Sequence, residues 1–259
     1  VNDQGFVDIK ALAALLRPDT TLVSIMAVNN EIGSIQPIKE ISELLADKQG
    51  ISFHVDAVQA IGKIPSADYL TDRVDFASFS GHKFHSVRGV GFIYKKEGKK
   101  LTPLLAGGGQ EGDLRSTTEN VAGIAATAKA LRLVTDKEAY ALPKIAKMKE
   151  VIYDELAKHK DFSGKDDTFA PNILTFGIKG VRGEVVVHAF EEHEIYISTT
   201  SACSSKAGKP AGTLIAMGVP TKLAQSAVRI SLDDDNDMGQ VEQFLTIFKQ
   251  VYEKTKKVR

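Results

Sequence analysis

Lys83 ends the stretch "VDFASFSGHK" (74–83), an apolar run that stops abruptly at Ser80, Gly81, His82 and Lys83. A lysine amine that is partly desolvated holds its proton less firmly and becomes nucleophilic toward a carbonyl carbon, which is the requirement for a Schiff base. Ser80 and His82, beside it, supply donors suited to a phosphate. In "SFHVDAVQ" (52–59) the two-residue period of a strand puts Ser52, His54 and Asp56 on one face, opposite Phe53 and Val55. Asp56 thus arrives at the carboxyl end of a strand, the edge where ligands bind in open parallel α/β sheets. It could cap the following turn, or it could keep a cationic ring nitrogen protonated, and the residues alone leave both roles open. A lysine for a carbonyl, an acid for a pyridinium and donors for a phosphate are together the equipment for pyridoxal 5'-phosphate.

The one cysteine, Cys203, lies in "STTSACSSKAG" (198–208), among small and polar residues that could hardly bury a thiol. It is either an inert small side chain or a nucleophile on a loop. Nucleophilic attack needs thiolate, and an unperturbed thiol near pKa about 8.5 supplies only a few per cent at neutral pH. Lys206 and Lys209 follow closely enough to favour the thiolate. The composition of 198–212 suits a sulfur carrier that must reach two places.

These residues need strands and helices to hold them. "LVSIMAV" (22–28), "ISFHVDA" (51–57) and "VDFASFS" (74–80) read as strands of a mainly parallel sheet covered by helices on both faces, and "GVGFIYKK" (89–96) closes the run. Pro37 and the stripe Ile38, Ile41, Leu44 and Leu45 predict a crossover helix between the first two strands. From Glu119 two long helical patterns follow, "NVAGIAATAKALRLV" and "YALPKIAKMKEVIYDELAKH". Strands are then predicted over 172–178, 195–199 and 227–232, with an amphipathic helix near 237–255. The fold class is α/β: a large domain over 1–138 and a smaller α/β domain over 139–259 that carries the cysteine loop.

Composition narrows the function classes. The chain has 259 residues, 43% of them hydrophobic, enough to bury a core. Its 33 basic and 33 acidic residues balance, so no global field draws it to nucleic acid or to a membrane surface. A single cysteine and the lack of a long apolar run suit a reducing cytoplasm. "AGGGQEG" (106–112) lacks the Lys-Ser/Thr of a phosphate-binding P-loop, and the HxxH pair His82 and His85 has no further ligands in sequence to complete a metal site. The terminal "KTKKVR" reads as a solvated tail.

Taken together, "VNNEIGSIQPI", "HVDAVQ", "SFSGHK" and "RSTTEN" resemble, in order and spacing, the cysteine desulfurases of the class-V aminotransferase superfamily, over residues from about 5 to about 250. The resemblance implies a pyridoxal 5'-phosphate enzyme in which Lys83 binds the cofactor, Asp56 pairs with the pyridine nitrogen and Gln59 bonds the phenolic oxygen. Ser80 and His82 would hold the phosphate. Asn30 would lie near the ring and the substrate carboxylate, Arg229 would grip that carboxylate, and Thr118 would reach the phosphate of a neighbouring subunit in a homodimer. Cys203 would take sulfur from L-cysteine as a persulfide, leaving L-alanine, and pass it to an acceptor protein. Thr200 stands where the family usually has glycine before "SAC", a variant similar to the branch that supplies sulfur for tRNA thiolation and thiamine. The family's N-terminal third, with a glycine/threonine phosphate turn and a histidine over the ring, has no counterpart here, so a shortened chain is expected. An aminotransferase or selenocysteine lyase on the same scaffold, or a silent domain that docks sulfur acceptors, are the competing readings. Cys203 separates the first of these, since transamination needs no thiol.

Overall fold

Val23, Phe53, Val55, Ala77 and Phe79 are buried, while Ser24, Met26 and Asp56 on the intervening positions are exposed, and this alternation builds the first sheet. The computed structural model describes residues 1–157, 160–200 and 211–256. Strands β1 (Leu22–Met26), β2 (Ser52–Asp56) and β3 (Phe76–Ser80) are parallel in that order, and β4 (Gly91–Lys95) adds antiparallel to β3. The prediction of burial on both faces is therefore corrected: one face is apolar core and the other, carrying serines, His54 and Asp56, is largely open. Ser24, Ser52, His54, Asp56 and Ser78 share that face, and polar side chains cannot be buried cheaply without partners.

The contacts divide the chain into two units. One comprises Leu16–Ala27 with Ile38–Lys137; the other comprises Val1–Leu15, Val28–Pro37 and Glu138–Arg259. In the first, α2 (Ile38–Leu44) lies between β1 and β2 in sequence, as the crossover requires. Pro37 immediately precedes it, where a missing N–H breaks no helical bond. Ile38, Ile41 and Leu45 are fully buried.

The same unit is clamped by a buried acid. Asp75, 2% exposed, accepts from the N–H of Phe53 at 2.9 Å and pairs with Arg73 at 2.8 Å and Lys99 at 3.0 Å. Arg73 also donates to the carbonyls of Leu45, Lys48 and Ile51. The start of β2 and the approach to β3 are thereby tied to one carboxylate.

The second unit begins with α1 (Ile9–Leu15) and holds an antiparallel sheet in the order β5 (Lys160–Asp161), β6 (Ile173–Gly177), β8 (Ala227–Ser231), β7 (Ser198–Thr199). Helices α4 (Gly183–Glu191), α5 (Gly212–Ala216), α6 (Thr221–Ala224) and α7 (Met238–Lys256) complete it. Its core joins Leu174, Phe176, Val186, Phe190, Val228, Phe244 and Phe248. Phe190 stacks on Phe244 at 5.1 Å, and Phe176 meets Phe248 edge-on at 5.6 Å.

Between the sheets in sequence runs α3 (Val121–Leu156), one helix where two were expected. Pro143 sits inside it and removes one backbone donor, a cost of about 3 kcal/mol. Ile145, Met148, Ile152 and Leu156 are each buried to 1% exposure or less, at about 1.5–3 kcal/mol apiece, so the apolar stripe outweighs the proline. Among the described residues no helix is long and apolar enough to cross a membrane.

Candidate active site

Parallel pairing brings the carboxyl ends of β2 and β3 to one sheet edge. Asp56 closes β2 and is level with Ser78; Ser80 closes β3 two residues, about 6–7 Å, further on. The chain then makes a tight 3-10 turn, Gly81–Lys83. Gly81 suits this turn because a Cβ there would come within 3.0 Å of the Val90 carbonyl and 3.1 Å of Ser86 and Thr127. Ser80 and His82 are hydrogen-bonded, Oγ to Nδ1, at 2.9 Å, with the His82 ring exposed and Lys83 half-buried.

Asp56 is exposed, and its Oδ1 accepts from the N–H of Val58 at 3.0 Å. The turn-capping role is thus realised with one oxygen, which leaves a carboxylate free to serve a cation as well, since it has about four lone-pair sites. Gln59 lies half-buried in the turn that follows. Thr118 is exposed in the stretch ahead of α3. One unit therefore holds an amine, an exposed acid and hydroxyl and imidazole donors around one sheet edge. That donor set fits pyridoxal phosphate: an anion, a cation and a carbonyl each find an opposite.

The other unit builds a second cluster on the turn 28–35, which a bridge between Val28 and Ile35 closes. Asn29 Oδ1 accepts from the N–H groups of Glu31 at 2.8 Å and Ile32 at 3.0 Å. Gly33 has φ +82°, and a Cβ there would stand 3.0 Å from that of Ile173, so both conformation and space favour glycine. The turn's carbonyls are gripped in succession. Arg229 Nη1 donates to Asn30 O at 2.7 Å, Thr175 Oγ1 to Glu31 O at 2.5 Å, and Ser163 Oγ to Ile32 O at 2.8 Å. Asn30 and Arg229, 199 positions apart in sequence, are thus brought into direct contact.

Cys203 lies outside the described residues. On either side of 201–210, Thr200 and Ala211 are 6% and 1% exposed. Thr200 follows β7, whose Ser198 pairs with Arg229 of β8. Just past Ala211, the N–H of Thr213 bonds Glu31 Oε2 at 2.9 Å and its hydroxyl accepts from Asn29 Nδ2 at 3.0 Å. Sequence reasoning gave no role to Glu31, and 182 intervening positions hide its contact. It also gave none to His54, Ser24 and Ser78, although the two-residue period already put His54 on the face of Asp56.

Comparison with known proteins shows the family. The family model described as Aminotransferase class-V matches residues 1–244. A "NifS/IcsS protein homolog" of Lactobacillus delbrueckii subsp. bulgaricus is 51% identical over all of this chain and 68% of its own length. A "Cysteine desulfurase IscS" of Dictyoglomus turgidum is 37% identical over all of this chain and 66% of its own. Among solved structures, a "NIFS-LIKE PROTEIN" superposes with TM-score 0.88 at 36% identity, covering 99% of this chain and 67% of that one. The chain spans about two thirds of the length of these relatives. With the family matched across nearly its whole length and half its residues shared with a NifS homologue, the chain belongs to the class-V aminotransferase family, in its cysteine desulfurase group.

Proposed function

We propose that the protein is a pyridoxal phosphate-dependent cysteine desulfurase that converts L-cysteine to L-alanine and carries the sulfur away on Cys203. The observation that carries the reading is the shared sheet edge of Asp56, Ser80, His82 and Lys83 at the ends of adjacent parallel strands. When bound, the cofactor supplies an electron sink for the substrate's α-carbon. Lys83 Nζ would hold the cofactor's carbonyl and would serve as the base for the substrate's α-proton. The Asp56 carboxylate would keep the ring nitrogen protonated, Gln59 would bond the phenolic oxygen, and Ser80 and His82 would hold the phosphate.

Arg229 grips the substrate carboxylate with a planar fork of donors, beside Asn30. The Cys203 thiolate attacks the substrate sulfur. A sulfur–sulfur bond forms, the carbon–sulfur bond breaks with its electron pair going to carbon, and a proton delivered there completes alanine. L-cysteine and one thiol thus become L-alanine and one persulfide, with no outside oxidant. The persulfide then passes to an acceptor protein for iron–sulfur, thiamine or tRNA thiolation chemistry. The protein works in the cytoplasm as a homodimer, Thr118 of each subunit reaching the phosphate of the other.

Sulfide release from cysteine under a thiol reductant tests the reading. Cys203→Ser is expected to abolish release while leaving the cofactor's visible absorption intact, and Lys83→Ala to lose the absorption that borohydride removes. Full-rate release by Cys203→Ser would refute the thiol step.

A further inference from the structure

His54 is an ionisable side chain on the open sheet face that the chemistry above leaves without a task. Its half-buried ring is held at both ends, with Nδ1 2.8 Å from Ser24 Oγ on β1 and Nε2 2.7 Å from Ser78 Oγ on β3. One ring thus links three adjacent strands. A neutral imidazole has one donor and one acceptor, and two hydroxyls can satisfy either tautomer.

Ser78 is the register partner of Asp56. Its carbonyl accepts from the N–H of Ala57, the residue after Asp56, at 3.0 Å, while Asp56 Oδ1 is fixed by the N–H of Val58. The side-chain bond from His54 therefore bears on the part of β3 that sets the level and direction of Asp56. Ser24 and Met26 on β1 and Phe76 and Ser78 on β3 bring no ionisable group to His54, so the charge it meets is Asp56, two residues along on its own face. Burial pushes the imidazole pKa below its usual value, and the charge of Asp56 only partly opposes this. The ring is accordingly neutral at pH 7 and does not compete with a pyridinium for Asp56.

We propose that His54 is a positioning residue for the cofactor: through its hydrogen bond to Ser78 it holds Asp56 in the orientation that meets the pyridine nitrogen. The proposal rests on the reading of Asp56 as the nitrogen's partner. Substitutions separate the two ends of the ring. His54→Asn can still reach Ser24 but not Ser78, His54→Gln extends to Ser78, Ser78→Ala removes that bond from the other side, and Ser24→Ala removes only the far one.

The readouts are the cofactor dissociation constant of the holoenzyme, by dialysis and visible absorption, and the pH midpoint of the lysine-bound band. His54→Asn and Ser78→Ala are expected to weaken cofactor binding about tenfold, the loss expected for one buried hydrogen bond, and to shift the midpoint in the same direction. His54→Gln and Ser24→Ala are expected to stay within about twofold of the parent. Equal losses in Ser24→Ala and Ser78→Ala would make the ring a mere strand staple and overturn the proposal, as would parent-like binding and midpoint in His54→Asn. Thermal melting of each apoprotein shows whether a loss follows unfolding; in that case rescue by His54→Gln decides. Asp56→Asn binding cofactor like the parent would instead refute the underlying reading of Asp56.

Discussion

In the proposed enzyme Arg229 has two tasks, holding the turn at Asn30 and gripping the substrate carboxylate. Its Nη1 donates to the Asn30 carbonyl at 2.7 Å. A planar guanidinium fork is suited to a carboxylate, and lysine, a point charge, cannot reproduce it. Arg229→Lys is therefore expected to raise KM for cysteine roughly 10- to 100-fold, the cost of one charge-assisted hydrogen bond of about 1.5–3 kcal/mol, with the cofactor's visible absorption unchanged. Steady-state kinetics beside an absorption spectrum checks it, and an unchanged KM would remove Arg229 from the substrate. At the same scale Asp56 resolves an ambiguity that its type alone could not. It caps the turn through Val58 and is still exposed for a cation, so the two roles read from sequence are compatible.

Elements hold these residues in place, and in the first sheet the buried Asp75 ties the start of β2 to Arg73 and Lys99. Burial pushes its carboxyl up, but the N–H of Phe53 and the cations Lys99 and Arg73 outweigh that and hold it below the usual carboxylate range. A carboxyl whose folded pKa lies below its unfolded value stabilises the fold above about pH 4 and stops doing so as the pH falls through the folded value. The urea midpoint of the parent should thus drop on acidification below about pH 4, and Asp75→Asn should lose that part of the dependence. At neutral pH the variant should be less stable by about 3–5 kcal/mol, because it leaves Arg73 and Lys99 beside a neutral group. Helix α3 offers the opposite sign. Pro143→Ala restores a backbone donor inside a continuous helix and should raise the urea midpoint, by up to about 3 kcal/mol of stability. A fall would mean that the helix has adapted its packing to the proline.

For the whole molecule, the proposed homodimer makes a prediction that no single subunit can. If Thr118 reaches the neighbour's phosphate, a site with an intact Lys83 can be completed by Thr118 from the other chain. Mixing Lys83→Ala and Thr118→Ala subunits after unfolding and refolding together should then yield more sulfide release than the average of the two variants alone. Sedimentation of a monomer, or purely additive activity in the mixture, would remove Thr118 from the partner's site.

Much of this was legible in the chain itself. Alternation of Phe53 and Val55 with Ser52, His54 and Asp56 is a local property, and it determined which strand face is apolar and which residue ends the strand. The abrupt stop at Ser80–Lys83 likewise put an amine at a strand's carboxyl end, because an apolar run must terminate where polar side chains begin. The stripe from Ile145 to Leu156 was equally local, yet it read as part of a second, separate helix. Only burial of that stripe in the core, a tertiary quantity, showed that the helix continues. Tertiary structure also decided what spans long separations: the bond from Arg229 to Asn30, the hold of Glu31 on Thr213, and the ring of His54 set between Ser24 and Ser78. Periodicity tells a residue which way to face but not which strand will lie beside it, since pairing and register are chosen by the energy of the assembled core.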